Sequence, residues 1–340
     1  MDSLELYSHF TALTASDADS NAFNVIAITG TLHKLGISSE GYPKFFIKTS
    51  TEKPIVPNTV LELLSVEYNL QCTVVEEDGI RQDELFSIIT LQSSEEKLQK
   101  YFVEIVLLMI GNLQQMPTCR ELSLEVENLI SIFMALSSAS RKTVQGLWAE
   151  LLVIERSSYP ETLINAWHSS PDSKFDFTLG RDKIEVKSTA KDTRVHHFSL
   201  DQLNPSPNSK LLIASTIVRE SGEAQQGLCI RDLYMRICSR VTAVNARLKL
   251  NSVMAKTIGK DYAKLDSEFF DYVTASDTLA FYNSQTIPHI DKATVPEFVA
   301  ESSLIATSLI LRMSFMTAAI SIFKAALFIK AFLICKAYAC

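Results

Sequence analysis

Apolar and polar residues alternate through Phe175-Asp176-Phe177-Thr178-Leu179 and again through Asp182-Lys183-Ile184-Glu185-Val186-Lys187, on either side of Gly180-Arg181. Alternation of period two around a two-residue loop predicts a β-hairpin, and glycine at the first loop position fits a type II′ turn. That register pairs Leu179 with Asp182, Phe177 with Ile184 and Phe175 with Val186, so one face is apolar. The opposite face, expected to be solvated, holds Asp176 across from Glu185, with Lys187 two residues along the same strand.

Before the hairpin, Asn24–Leu32, Lys44–Thr49, Val60–Val66, Gln71–Val75 and Phe86–Leu91 are β-branched or aromatic runs. Turn residues such as Ser39-Glu40-Gly41-Tyr42-Pro43 and Glu77-Asp78-Gly79 separate them. The pattern predicts a small, mainly antiparallel β-domain over residues 1–92, read as an accessory or partner-binding module. From Ser93 the period becomes helical, with Leu98, Phe102, Ile105, Val106 and Met109 on one side. A second helix is expected over Leu122–Leu136, and residues 93–140 read as a helical linker. Thr143–Glu155 reads as a helix with an apolar stripe at Leu147, Leu151 and Ile154. Glu150 borders that stripe, either as a further acid of a site or as a helix-margin residue.

After a short helix around Leu163–Trp167 and the hairpin, strands are expected at Val195–Leu200 and Leu211–Val218. The latter is nearly continuous in apolar character and so buried. The adjacent His196 and His197 must face opposite ways on a strand, and are read as ordinary strand residues. One long helix is predicted from Gln226 to Leu250. On it Arg236, Arg240 and Arg247 share a side, while Arg231 lies off that line.

Composition adds a contrast along the chain. Residues 1–140 carry 8 basic and 19 acidic side chains, a balance of −11, whereas residues 181–260 carry 14 basic and 7 acidic, a balance of +7. The basic segment begins at the hairpin, where a phosphate backbone would lie, so Arg236, Arg240 and Arg247 are candidate nucleic-acid contacts. A basic helix face without a ligand is the competing reading. The cysteines at 72, 119, 229, 238, 335 and 340 are scattered with no C-x-x-C pair, and no secretory leader is evident. They read as reduced thiols in a cytoplasmic protein.

Two carboxylates facing each other across a ladder repel by up to about 1 kcal/mol, and a cation between them removes that cost. Mg²⁺ suits such a pair, because it takes one or two protein carboxylates and leaves its other positions to water and phosphate oxygens. Lys187 would reach the same site and orient a water. The candidate chemistry is metal-assisted hydrolysis of a phosphodiester. An Asp, a Glu and a Lys on the wet face of a hairpin are also common without any such role.

The stretches Gly146-Leu147-Trp148-Ala149-Glu150-Leu151, Asp176-Phe177, Glu185-Val186-Lys187-Ser188 and Asp201-Gln202-Leu203 together resemble the PD-(D/E)xK nuclease superfamily, and more closely a prokaryotic, defence-associated branch of it. The resemblance continues through Asp261-Tyr262, Phe281-Tyr282 and Ile287-Pro288, although Phe175 stands where the motif's proline would be. It implies an α+β or α/β chain in which residues 141–298 form a restriction-endonuclease-like core, a mixed sheet flanked by helices. It implies Asp176, Glu185 and the Val186 carbonyl as ligands of Mg²⁺, or of Mn²⁺. It further implies that Lys187 positions the attacking water, Glu150 completes the acidic site and Gln202 orients substrate or water. DNA would be the substrate, and helicase, ATPase or methyltransferase subunits of a defence operon the partners.

Residues 299–340 do not fit that pattern. From Ser303 to Cys340 there is no acid, glycine or proline, and Arg312 interrupts the stretch long enough to span a bilayer. A membrane-associated tail, out-of-frame translation after a frameshift near Glu301, and a buried terminal helix are the three readings. Three function classes therefore stay open: a Mg²⁺-dependent endonuclease, a nuclease-fold binding subunit without activity, and a tail-anchored interaction protein.

Overall fold

The computed structural model describes residues 2–15, 22–50, 56–76, 78–168, 173–222 and 227–288, with the backbone of 303–307. It is a mixed α/β chain that divides into two compact units, Met1–Ser138 and Ala139–Cys340.

In the first unit, helix α1 (Ser3–Ala12) precedes six strands: β1 (Ala22–Ala27), β2 (Lys34–Ile37), β3 (Pro43–Ile47), β4 (Thr59–Val60), β5 (Leu64–Val75) and β6 (Arg81–Leu91). The strands pair in the order β1-β2-β3-β6-β5-β4, and β1 also pairs with β5, so five of them close on themselves. Every pairing is antiparallel except β1 with β5, in keeping with the expected mainly antiparallel domain. Helices α2 (Glu96–Ile110) and α3 (Cys119–Leu136) follow. The stretch expected to be a linker is part of this unit's core: the buried Phe102 ring meets both Phe45 and Phe133 edge-on, at 5.5 and 5.8 Å.

The second unit opens with α4 (Val144–Arg156), α5 (Pro160–Ala166), β7 (Phe177–Leu179) and β8 (Asp182–Thr189). It continues through β9 (Val195–Ser199), α6 (Leu200–Leu203), β10 (Lys210–Ile217), α7 (Ile230–Cys238), α8 (Val244–Ile258), a 3-10 helix (259–266), α9 (Tyr272–Thr278), β11 (Ala280–Asn283), a short 3-10 turn (284–286) and β12 (Ser303–Thr307). A four-stranded mixed sheet runs β11-β10-β8-β7, with β8 and β10 parallel and the outer pairs antiparallel. β10 is internal and buried, as its continuous apolar run predicts.

Helix α4 is buried from Leu147 to Ile154 on all sides, not along one stripe, because sheet and helices enclose it. Its side chains pack with Phe177, Ile184, Val186 and Ala214 from one face of the sheet. A smaller cluster of Phe175, Phe198, Leu203, Leu211 and Ile213 occupies the other face. Glu185 pairs with Ile213 in the β8–β10 ladder and therefore projects toward this second face.

The residues expected to form one helix from Gln226 to Leu250 form two, α7 and α8, separated by Ser239–Ala243. The tail beyond residue 299 lies outside the described residues, apart from the backbone of β12, which pairs antiparallel with β9. No helix among the described residues is long and apolar enough to cross a membrane.

Candidate active site

The hairpin forms with the expected register at its tip: Leu179 pairs with Asp182 and Phe177 with Ile184. Gly180 has φ 60°, and Arg181 is not in the positive-φ region, which matches a type II′ turn. Below Phe177 the expected pairing is lost. A continued ladder would hydrogen-bond the Val186 N–H to the Phe175 carbonyl, but the Asp176 carboxylate takes it instead, with Oδ2 accepting at 2.7 Å. The strand ends there, and Phe175 leaves the expected apolar face for the opposite cluster.

Asp176 and Glu185 are not on a wet face. Each is only 4% exposed, and Glu150 only 2%. All three line one cleft of about 440 Å³, together with Val186, Lys187, Ser188 and Gln202. Strand β8 supplies Glu185 and Lys187, while α4 brings Glu150 to the same cleft. The Gln145 amide ties helix to strand by donating to Ser188 Oγ at 3.2 Å.

Glu185 Oε1 lies 2.8 Å from Lys187 Nζ and accepts from Gln202 Nε2 at 2.5 Å. Gln202 is held by the start of α6: its backbone N–H donates to Ser199 Oγ at 3.2 Å, and its Oε1 accepts from the Ser199 N–H at 3.1 Å. The motif's glutamine thus doubles as a helix cap. Glu185 Oε2 is buried with no hydrogen-bond partner among the described residues.

Lys142 and His168 also line the cleft. Lys142 Nζ lies 2.5 Å from Glu150 Oε1 and 2.5 Å from Asp176 Oδ1. His168 Nε2 lies 3.1 Å from Glu150 Oε2, which also accepts from Trp167 Nε1 at 2.7 Å. Sequence reasoning missed both. For Lys142 a signal existed: a cation just before the N-terminus of α4 opposes the helix dipole and so calls for an acidic partner. For His168 no spacing connects it to either acid, since the contact depends on how α5 returns the chain to the hairpin. The histidines that did stand out behave as strand residues: His196 is buried with Nε2 2.7 Å from Ser215 Oγ, and His197 is exposed.

Electrostatics follow from this crowding. Burial, and then the Glu150 charge, push Asp176 up to about 6. Burial and the Asp176 charge push Glu185 up to about 8, with Lys187 opposing. Burial also works against the charged form of Glu150, but the His168 contact and the Lys142 charge outweigh it and hold its carboxyl below the usual range. Burial would lower Lys142 too, yet the two acids hold it above the ordinary lysine value.

A stability prediction follows for the metal-free chain. Glu185 binds its proton more tightly folded than unfolded, so its contribution is fully present below about pH 4.5 and is lost as pH rises through about 8. With a chelator present, the melting temperature should fall between pH 5 and pH 8.5, and Glu185→Gln should flatten that fall. An equally steep decline in the variant would assign it to other groups.

The arginines expected to line one helix face each make a contact within the fold, while Arg236 and Arg240 stay exposed. Arg240 donates to the carbonyls of Glu155 and Ser157, both at 2.5 Å, and so closes the end of α4. Arg247 donates to Val241 and Cys238 carbonyls at 2.8 and 2.7 Å, and the Arg236 guanidinium lies 4.6 Å over the Tyr272 ring. With α7 and α8 distinct, the spacing that aligned Arg236, Arg240 and Arg247 does not apply. Arg240→Ala should cost about 1–3 kcal/mol of stability, seen as a lowered urea midpoint, with nucleic-acid affinity unchanged.

The residues present fit a cation. Glu185 has a buried carboxylate oxygen without a partner among the described residues, and Glu150 and Asp176 share one ammonium, so all three acids can offer oxygen to a cation. No curated protein and no solved structure matches the chain. A family model described as "Putative PD-(D/E)XK family member, (DUF4420)" matches residues 6–303. That span covers most of the 340 residues and includes every side chain of the cleft, so the chain belongs to this PD-(D/E)XK family.

Proposed function

We propose that this chain is a divalent-cation-dependent nuclease that hydrolyses phosphodiester bonds of DNA, with Mg²⁺ or Mn²⁺ as cofactor. The observation that carries the reading is the convergence of Glu150, Asp176, Glu185, Lys187 and Gln202 on one cleft. Asp176, Glu185 and the Val186 carbonyl would hold the ion. When bound, it supplies Lewis-acid charge to the phosphate and lowers the pKa of water.

The chain's own groups supply position. Lys187, anchored to Glu185, places an ammonium beside the attacking oxygen and the charge that develops on phosphate. Gln202, fixed at the start of α6, holds the Glu185 carboxylate in one orientation and so sets the angle of the ligand set. The burial of the acids keeps bulk water from screening these interactions.

A cytoplasmic setting agrees with four free cysteines among the described residues, three of them buried. Partner subunits of a defence system, a helicase, ATPase or methyltransferase, would deliver substrate to the cleft.

The test is end-labelled oligonucleotide cleavage by the purified chain, with duplex DNA, single-stranded DNA and RNA in parallel, under Mg²⁺, Mn²⁺ or EDTA. Cation-dependent cleavage of DNA in excess of RNA is expected. Binding without cleavage in any cation would instead favour a nuclease-fold binding subunit.

A further inference from the structure

The cleft contains one group for which a Mg²⁺ site has little use. His168 follows α5 with φ 39°, a left-handed conformation, and its backbone N–H donates to the Asp176 carbonyl at 2.9 Å. This holds the ring against both acids, with Nε2 3.1 Å from Glu150 Oε2 and 3.9 Å from Asp176 Oδ1. One donor atom from each of Glu150, His168 and Asp176 lies within 4.8 Å of the other two. With bonds of about 2.0–2.2 Å, ligands of a single ion stand about 3 Å apart when adjacent and up to about 4.4 Å apart when opposite, so the His168–Glu150 contact already fits and the wider separations must close on the ion.

An independent observation points to a cation at the same place. The Lys142 ammonium already bridges Glu150 and Asp176. The segment carrying it is anchored on its N-terminal side: Ser140 Oγ donates to Asp261, and the Arg141 N–H donates to the Thr257 carbonyl at 2.9 Å. Positive charge is thus delivered by a built arrangement and not by a wandering surface side chain.

Ligand chemistry then discriminates between ions. Carboxylates suit both Mg²⁺ and Mn²⁺, but Mg²⁺ dehydrates reluctantly and keeps to oxygen ligands, so one imidazole nitrogen beside two carboxylates shifts the site toward the transition ion. We propose that Glu150, His168 and Asp176 form a nitrogen-containing metal position that takes Mn²⁺ in preference to Mg²⁺, and that Lys142 holds this place until the ion enters. The inference rests on reading the cleft as metal-dependent, but its test uses no nucleic acid, so the two can fail separately.

The experiment is Mn²⁺ binding to the full chain, followed by electron paramagnetic resonance with Mg²⁺ as competitor, for wild type, His168→Asn and Lys142→Met. Asparagine tolerates the left-handed backbone of position 168. Wild type is expected to bind Mn²⁺ at least about tenfold more tightly than Mg²⁺ and to show nitrogen coupling to the bound ion in pulsed spectra. His168→Asn should lose that coupling and about tenfold in Mn²⁺ affinity, with Mg²⁺ affinity nearly unchanged. Lys142→Met should bind both ions more tightly. Absence of nitrogen coupling in wild type overturns the proposal even if the variants fail to fold. Unchanged Mn²⁺ affinity in folded His168→Asn reduces the histidine to a positioning partner of Glu150, and weaker ion binding by Lys142→Met overturns the place-holding role. Tight Mn²⁺ binding through His168 without any cleavage would count against the nuclease reading alone.

Discussion

Asp176→Asn and Glu185→Gln are each expected to reduce cleavage by about a hundredfold to a thousandfold, the scale lost when charge stabilisation of a transition state is removed. Both substitutions keep side-chain volume and remove one negative charge from a buried site, so neither leaves a cavity. Asp176→Asn turns one carboxylate oxygen into an amide, yet the Val186 N–H can still donate to the oxygen that remains. Glu185→Gln removes repulsion with Asp176 and should leave the melting temperature of the metal-free chain equal or higher at pH 8. Alanine at these positions would be a poorer test, because both groups are buried and not, as the sequence pattern implied, on a solvated face. Full activity in either folded variant would place the chemistry elsewhere.

Lys142→Met should produce the largest effect on stability. It leaves Glu150 and Asp176 facing each other with no ammonium between them. Breaking a buried ion pair by removing one partner costs about 3–5 kcal/mol. The Lys142 side chain is 34% exposed, so screening by solvent brings the expectation to about 3 kcal/mol or less. Lowering the pH should restore part of the loss, as Asp176 takes up a proton. Divalent cations should restore it too, and a denaturant titration with and without Mn²⁺ reads this directly. A variant as stable as wild type at pH 8 without metal would show that the ammonium contributes little there.

What the sequence made legible, and what it did not, divides along physical lines. The hairpin tip was readable because period-two alternation and Gly180 are local signals, and Phe177↔Ile184 follows from them. The end of the strand was not, because it depends on a side chain, Asp176, outcompeting a backbone carbonyl for the Val186 N–H. Helix α4 was placed within a residue, but its burial on all sides reflects what packs around it, and that is a tertiary fact. The break between α7 and α8 carries no glycine or proline; Arg247 satisfies carbonyls at that break and Arg240 carbonyls at the end of α4. Asp176, Glu185 and Lys187 were read from the hairpin alternation, Glu150 from its place beside the helix stripe and Gln202 from the motif resemblance, and all five line one cleft. Lys142 and His168 were not foreseen, since their roles arise only when α4, α5 and the hairpin converge.

The central claim is that this cleft cuts a phosphodiester with a divalent cation. The most direct measurement is conversion of supercoiled plasmid by the full chain, with Glu185→Gln purified identically as the control and Mg²⁺, Mn²⁺ or EDTA in parallel. Nicked or linear product is expected from wild type with either cation, and none with EDTA or from the variant. Product formed in EDTA, or formed equally by Glu185→Gln, would contradict the claim.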